Sequence, residues 1–157
     1  MTNPQQQPLV FVDLETTGAN TSGDRITEIG IVEISEHGVS EWSTLVNPQA
    51  PISPFIQRLT GISNEMVSAA PTFAQIAGAL LERLKGRLFI AHNVRFDYGF
   101  LRSEFKRAGW DFRADVLCTV KLSRKLFPQH HKHNLDALVE RHQLPVTSRH
   151  RALADAR

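Results

Sequence analysis

Four carboxylates and one imidazole lie along this chain in contexts that can bring them to one place. They are Asp13 and Glu15 in Val10-Phe11-Val12-Asp13-Leu14-Glu15, Asp97 in His92-Asn93-Val94-Arg95-Phe96-Asp97, and His150 with Asp155 in His150-Arg151-Ala152-Leu153-Ala154-Asp155. Carboxylates held close together raise one another's pKa and oppose assembly unless a cation neutralises them. The set therefore calls for a metal. Oxygen donors without a thiolate favour Mg²⁺ or Mn²⁺ over Zn²⁺, and a pair of such ions suits in-line displacement at phosphorus.

Periodicity shows which elements must position these residues. Residues 9–15 read as a largely buried first strand, and residues 25–35, with Ile26, Glu28, Ile29, Ile31, Val32 and Ile34, as a second. A turn at Glu36-His37-Gly38 leads to a third strand over 39–46, making an antiparallel meander. Pro48, Pro51 and Pro54 then enforce a loop, with short helices expected over 54–59 and 64–67. A helix opened by Pro71-Thr72 and closed by Gly86 puts Phe73, Ile76, Ala77, Leu80, Leu81 and Leu84 on one face. A buried fourth strand (88–91), a helix (94–108), a fifth strand (116–118) and helices over 119–126 and 134–142 complete the pattern, before a last helix begins at 151. The fold class is α/β: a mixed five-stranded sheet, three antiparallel strands and then parallel additions, flanked by helices.

This frame lets the acidic residues converge. Positions two apart on a strand share a face, so Asp13 and Glu15 project together while Val12 and Leu14 enter the opposite layer. Asp97 follows the fourth strand near the start of its helix. His150 and Asp155, five residues apart, lie about 140° apart on a helix. They can share a site only if His150 sits at or before the helix start, with Thr147 and Ser148 as candidate caps.

Composition narrows the function classes. The 157 residues are 41% hydrophobic and 22% charged, as expected of one globular domain, with residues 1–7 a flexible leading segment and 8–157 the domain. No apolar stretch approaches the roughly 20 residues of a membrane span, no secretory signal is visible, and Cys118 is the lone cysteine, so a cytoplasmic setting is expected. Cys118 itself reads as a small buried hydrophobe. The net charge of +2 conceals an uneven distribution: residues 1–82 hold two basic residues against nine acidic ones, net −7, whereas 83–157 hold sixteen against seven, net +9. Arg95, Arg102, Lys106, Arg107, Lys121, Arg124, Lys125, Arg149 and Arg151 are candidates for nucleic-acid phosphates, though each is also a natural solvated helix residue.

Phe11-Val12-Asp13-Leu14-Glu15-Thr16-Thr17-Gly18, Ala91-His92-Asn93-Val94-Arg95-Phe96-Asp97 and His150-Arg151-Ala152-Leu153-Ala154-Asp155 resemble, in order, the three motifs of the DEDDh exonuclease family. Leu59-Thr60-Gly61-Ile62-Ser63-Asn64-Glu65-Met66-Val67 with Ala70-Pro71 resembles the branch containing the epsilon proofreading subunit of bacterial DNA polymerase III. The resemblance implies a ribonuclease-H-like fold and stepwise 3′→5′ hydrolysis releasing nucleoside 5′-monophosphates. Asp13 would bridge two Mg²⁺ or Mn²⁺ ions, Glu15, Asp97 and Asp155 would complete their ligation, and His150 would accept the proton of the attacking water. An imidazole changes charge near neutral pH and suits that task.

The resemblance also implies that Thr16 and Thr17 approach the terminal 3′-OH and that Phe96 and Ile62 bracket the last base, while His92 and Asn93 reach the terminal nucleotide or order the loop before Asp97. Phe96 is equally readable as a core residue of an amphipathic helix, and for Ile62 the core reading is the favoured one. The expected partner is a nucleic-acid 3′ end, single-stranded DNA favoured, delivered by a polymerase subunit or a fused domain. RNA trimming and a non-catalytic nucleic-acid-binding module are the alternatives. His130, His131 and His133 lack a regular ligand spacing, and Trp42 and Trp110 read as packing residues. Asp24, Glu28 and Asp136 read as surface or turn residues. The brevity of the last helix raises the expectation that it is disordered or that the natural chain continues past Arg157.

Overall fold

A computed structural model describes residues 7–146 and 149–157. The sheet has the order β3-β2-β1-β4-β5. Strands β1 (Leu9–Thr16), β2 (Ile26–Ser35) and β3 (Gly38–Leu45) form the antiparallel meander, and β4 (Leu88–Ala91) and β5 (Val116–Cys118) add parallel to β1. Helices α1 (Pro54–Thr60), α2 (Asn64–Ser68) and α3 (Phe73–Leu84) lie between β3 and β4. Then come α4 (Val94–Arg107), α5 (Thr119–Leu126), α6 (Leu135–His142) and α7 (Ala152–Ala156). The expected elements are all present, with ends shifted by a residue or two. Residues 1–6, most of the expected leading segment, fall outside the described residues, as do Thr147 and Ser148.

Alternation along β1 sorts its side chains between two layers. Val10, Val12 and Leu14 enter a core built with Phe73, Ala77, Leu80 and Leu84 of α3 and Phe100, Leu101 and Phe105 of α4. Asp13 and Glu15 project to the other face, where α7 packs on β1 and β2. A second, smaller core of Ile52, Ile62 and Val67 sits beneath α1 and α2. Pro54 starts α1 behind Ser53, whose hydroxyl accepts from Ile56 N at 3.3 Å, and Gly61 ends it in a left-handed conformation.

The approach of α7 depends on one missing side chain. Gly30 lies directly across from Asp13 in the β1–β2 ladder and so faces the same way. A Cβ at Gly30 would stand 2.3 Å from both the Ala152 carbonyl carbon and the Leu153 nitrogen, which are backbone atoms that cannot swing aside. Gly30→Ala should therefore push α7 off the sheet, lowering stability by about 1–3 kcal/mol and turnover by more than about tenfold, since α7 carries Asp155. Denaturant unfolding and steady-state rates check this, and an unchanged rate would refute it. Among the described residues no helix is long and apolar enough to cross a membrane.

Candidate active site

β1 is the middle strand of the sheet and runs parallel to β4 and β5; β4 pairs with Leu9–Phe11, so the C-terminal half of β1, carrying Asp13 and Glu15, extends past the ends of β4 and β5. Here the irregular register between Glu15 and Thr16 ends regular pairing. One carboxylate oxygen each from Asp13, Glu15 and Asp155 lies within 4.8 Å of the others. Asp97, one turn into α4, is 2% exposed and accepts Leu14 N at 3.1 Å through Oδ1. That bond ties α4 to β1 between Asp13 and Glu15. Asp97 thus borders the group of three without joining its tightest set.

The electrostatics are those of a site built for positive charge. Burial, and next the charge of Asp155, hold the Asp13 carboxyl well above its ordinary range. Glu15 is pushed from 4.5 to about 9, by burial first and then by Asp13 and Asp155. Asp97 is raised by burial and then by Asp13, against the pull of the Leu14 amide. The Arg149 guanidinium, with Nη1 2.5 Å from Asp155 Oδ1, opposes the rise at Asp13 and Glu15 without cancelling it. Its contact with Asp155 is a charge pairing rather than a well-directed hydrogen bond. Arg149 also pairs with Asp136, so it is not a free phosphate ligand.

The donor set is hard oxygen throughout, and the mutual repulsion is what a divalent cation removes, so these residues suit Mg²⁺ or Mn²⁺. The consequence for stability has a definite sign. Glu15 binds its proton more tightly folded than unfolded, so its contribution to metal-free stability is full below about pH 4.5 and is lost as pH rises towards 9. A bound cation offsets that decline. Saturating Mg²⁺ or Mn²⁺ should raise Tm by about 5–10 °C at pH 8 and little at pH 5, measured by thermal melting. Equal shifts at both pH values would contradict this electrostatic picture.

His150 stands two residues before α7 with φ of 60°, a left-handed backbone that histidine tolerates better than most residues. The turn directs His150 N to Asp155 Oδ2 at 3.0 Å, which answers the geometric requirement that His150 precede the helix. The expected caps Thr147 and Ser148 fall outside the described residues, and a different group serves α7. Glu28 Oε1 accepts Ala152 N at 2.7 Å, while the same carboxylate takes a forked pair of bonds from Arg151. Glu28, expected at the surface, is 5% exposed and anchors α7 to β2. Its cross-strand partner is Glu15. An acid inside the apolar run of β2 was the available signal, since a buried carboxylate requires a partner. Arg151 is correspondingly committed to structure rather than to phosphate, as is Arg107, which binds Glu104 and the Ser22 carbonyl.

The substrate-contact residues divide. Thr16 Oγ1 donates to Gly18 O at 2.6 Å, and Thr17 Oγ1 donates to Asp24 Oδ1 and accepts Arg25 N, both at 3.0 Å, so these hydroxyls shape the turn after β1. Phe96 is half-buried with its ring tilted against Phe100 at 4.7 Å. Ile62 is wholly buried in the small core, so it has no surface to offer a base, and the expected contact is corrected to a packing role. Asn93 is exposed and left-handed at the start of α4. His92 Nδ1 lies 2.8 Å from the Thr119 hydroxyl, which itself donates to Ala91 O, so the ring ties β4 to α5. His133, buried between Ser123 Oγ and His130 O, joins α5 to the loop before α6.

A family model described as exonuclease (RNase_T) matches residues 10–157. The chain is 40% identical over 149 residues to the PolC-type DNA polymerase III of Caldanaerobacter subterraneus subsp. tengcongensis, covering 94% of this chain and 11% of that protein. It is 40% identical over 154 residues to the 3′-5′ exonuclease DinG of Bacillus subtilis, covering 96% of this chain and 16% of that protein. It therefore spans less than a fifth of either relative's length. A solved structure of exonuclease X in complex with 5′ overhanging duplex DNA superposes with a TM-score of 0.74 at 30% identity, covering 94% of this chain and 84% of that one.

Proposed function

We propose that this chain, which belongs to the exonuclease family, removes nucleotides stepwise from the 3′ end of a DNA strand, by hydrolysis that releases nucleoside 5′-monophosphates in proofreading or repair. The observation that carries the reading is the convergence of Asp13, Glu15 and Asp155 at the end of β1, with Asp97 beside them. The relatives' names support the direction and the polymer: a PolC-type DNA polymerase III, a 3′-5′ exonuclease, and an exonuclease complexed with DNA.

Asp13, Glu15, Asp97 and Asp155 would hold two Mg²⁺ or Mn²⁺ ions. When bound, these would stabilise charge on the phosphoryl and leaving oxygens and acidify the attacking water. His150 would accept the proton of that water, from a position tied to the ligand Asp155 through its own backbone N–H. The α7 anchor of Glu28 and Arg151 would keep proton acceptor and ligand in fixed relation. At the terminal nucleotide, Thr16 and Thr17 would meet the sugar, Phe96 the base, since an aromatic face accepts any base, and Asn93 and His92 the adjoining backbone. A polymerase or a further domain would deliver the strand.

Matched DNA and RNA oligonucleotides, labelled at the 5′ end and incubated with Mg²⁺ or Mn²⁺, test this. The expected result is a ladder shortening from the 3′ end, faster on DNA. Faster shortening of RNA would reassign the substrate, and early release of the 5′ label would refute the direction.

A further inference from the structure

Beside the carboxylates, at the C-terminal ends of β4 and β5, a depression of about 440 Å³ is lined by His92, Asn93, Cys118, Lys121, Arg124 and Asn134, among others. Asn93 lies one helical turn, about 5–6 Å, before Asp97, and His92 also borders the space beneath Asp155. The hollow thus adjoins the candidate active site on the same edge of the sheet.

Its lining is attractive to an anion. Lys121 and Arg124, three apart on α5 and both exposed, make no ion pair among the described residues, and no carboxylate lines the hollow. Burial alone would push the Cys118 thiol up, yet the backbone groups of Lys121, Val94, Val120 and Asn93 hold it below its usual value. Asn93 and Asn134 add neutral polar side chains at the rim. By contrast, the basic residues nearer the carboxylates are engaged, Arg149 with Asp155 and Arg151 with Glu28.

The geometry points to this hollow as a subsite for an internal phosphate of the nucleic-acid strand, upstream of the bond being cut, held by Lys121 and Arg124. It rests on the exonuclease reading for the identity of the polymer. The subsite would register the strand so that its terminal phosphodiester reaches Asp13 and Glu15, an effect on binding rather than on bond cleavage.

The test is binding of a fluorescent deoxythymidine octamer to the full chain in chelator, followed by anisotropy, so that no turnover is needed. Lys121→Gln/Arg124→Gln is compared with wild type and with Lys85→Gln/Arg113→Gln, an equal charge change at exposed residues that precede β4 and β5, at the opposite end of those strands. The pocket pair should weaken binding by about tenfold and flatten the slope of log K against log salt by about 0.7, the loss of one phosphate contact. The Lys85/Arg113 pair should change affinity by less than about twofold. With Mg²⁺ present, the pocket pair should raise KM and leave kcat within about twofold. Equal weakening by both pairs, or none by the pocket pair, would overturn the subsite. Absence of any wild-type cleavage, with the binding difference intact, would instead overturn the exonuclease reading.

Discussion

Asp13→Asn should leave a folded protein whose hydrolysis is lower by at least about a thousandfold, a loss of roughly 4 kcal/mol of transition-state stabilisation. Asp13 holds the central place in the cluster: its charge acts on Glu15, and on Asp97 across the junction with α4, while Asp155 acts on it from α7. Replacing it with an uncharged isostere removes a donor from every cation the cluster could hold. The same change removes like-charge repulsion from a buried site, so the metal-free protein should melt higher than wild type. Two opposite readouts therefore come from one substitution. Turnover should vanish while metal-free Tm rises, and added Mg²⁺ or Mn²⁺ should no longer move Tm. A retained metal-dependent shift would show that the cation binds elsewhere.

His150→Asn should lower kcat by about 10²–10⁴ while the metal-dependent rise in Tm persists. Asparagine is chosen because the residue has φ of 60°, a conformation asparagine adopts readily. It should preserve the turn that sends His150 N to Asp155 and remove only the imidazole. His150→Ala should lose the same turnover and a further increment of stability, about 1 kcal/mol, from left-handed strain. Rates and melts of the two variants together separate loss of the proton acceptor from loss of the turn. Wild-type kcat in the asparagine variant would exclude His150 from proton transfer.

Much of the fold could be read from sequence because local patterns matched their tertiary setting. The alternation Val10, Val12, Leu14 against Asp13, Glu15 predicts a strand with one face in the core and one at a site, which β1 is. Pro54 marks the start of α1, since a proline suits the first position of a helix. Asp13, Glu15 and Asp155 were identifiable because carboxylates of that kind in apolar surroundings demand a shared cation.

What sequence could not supply lies in contacts between distant segments. The bond between Glu28 and Arg151 joins residues 123 apart, and no periodicity predicts it. Gly30 reads as an ordinary strand glycine until α7 is seen to cross it. Ile62 was ambiguous for a different reason: an apolar side chain has the same identity under a base or inside a core, and only its complete burial decides. Arg149 and Lys121 are alike in sequence, yet one is paired with Asp136 and Asp155 and the other stands in an acid-free hollow.

The central claim is that the carboxylates at the end of β1 act through divalent cations on a 3′ terminus. Its most direct test is the rate of 3′-end shortening of one labelled DNA strand as Mg²⁺ or Mn²⁺ is titrated, with wild type and Asp13→Asn side by side. Saturable, cation-dependent shortening in wild type, abolished by chelator and absent from the variant, is the predicted result. Shortening that survives chelator, or that Asp13→Asn performs at the wild-type rate, would contradict it.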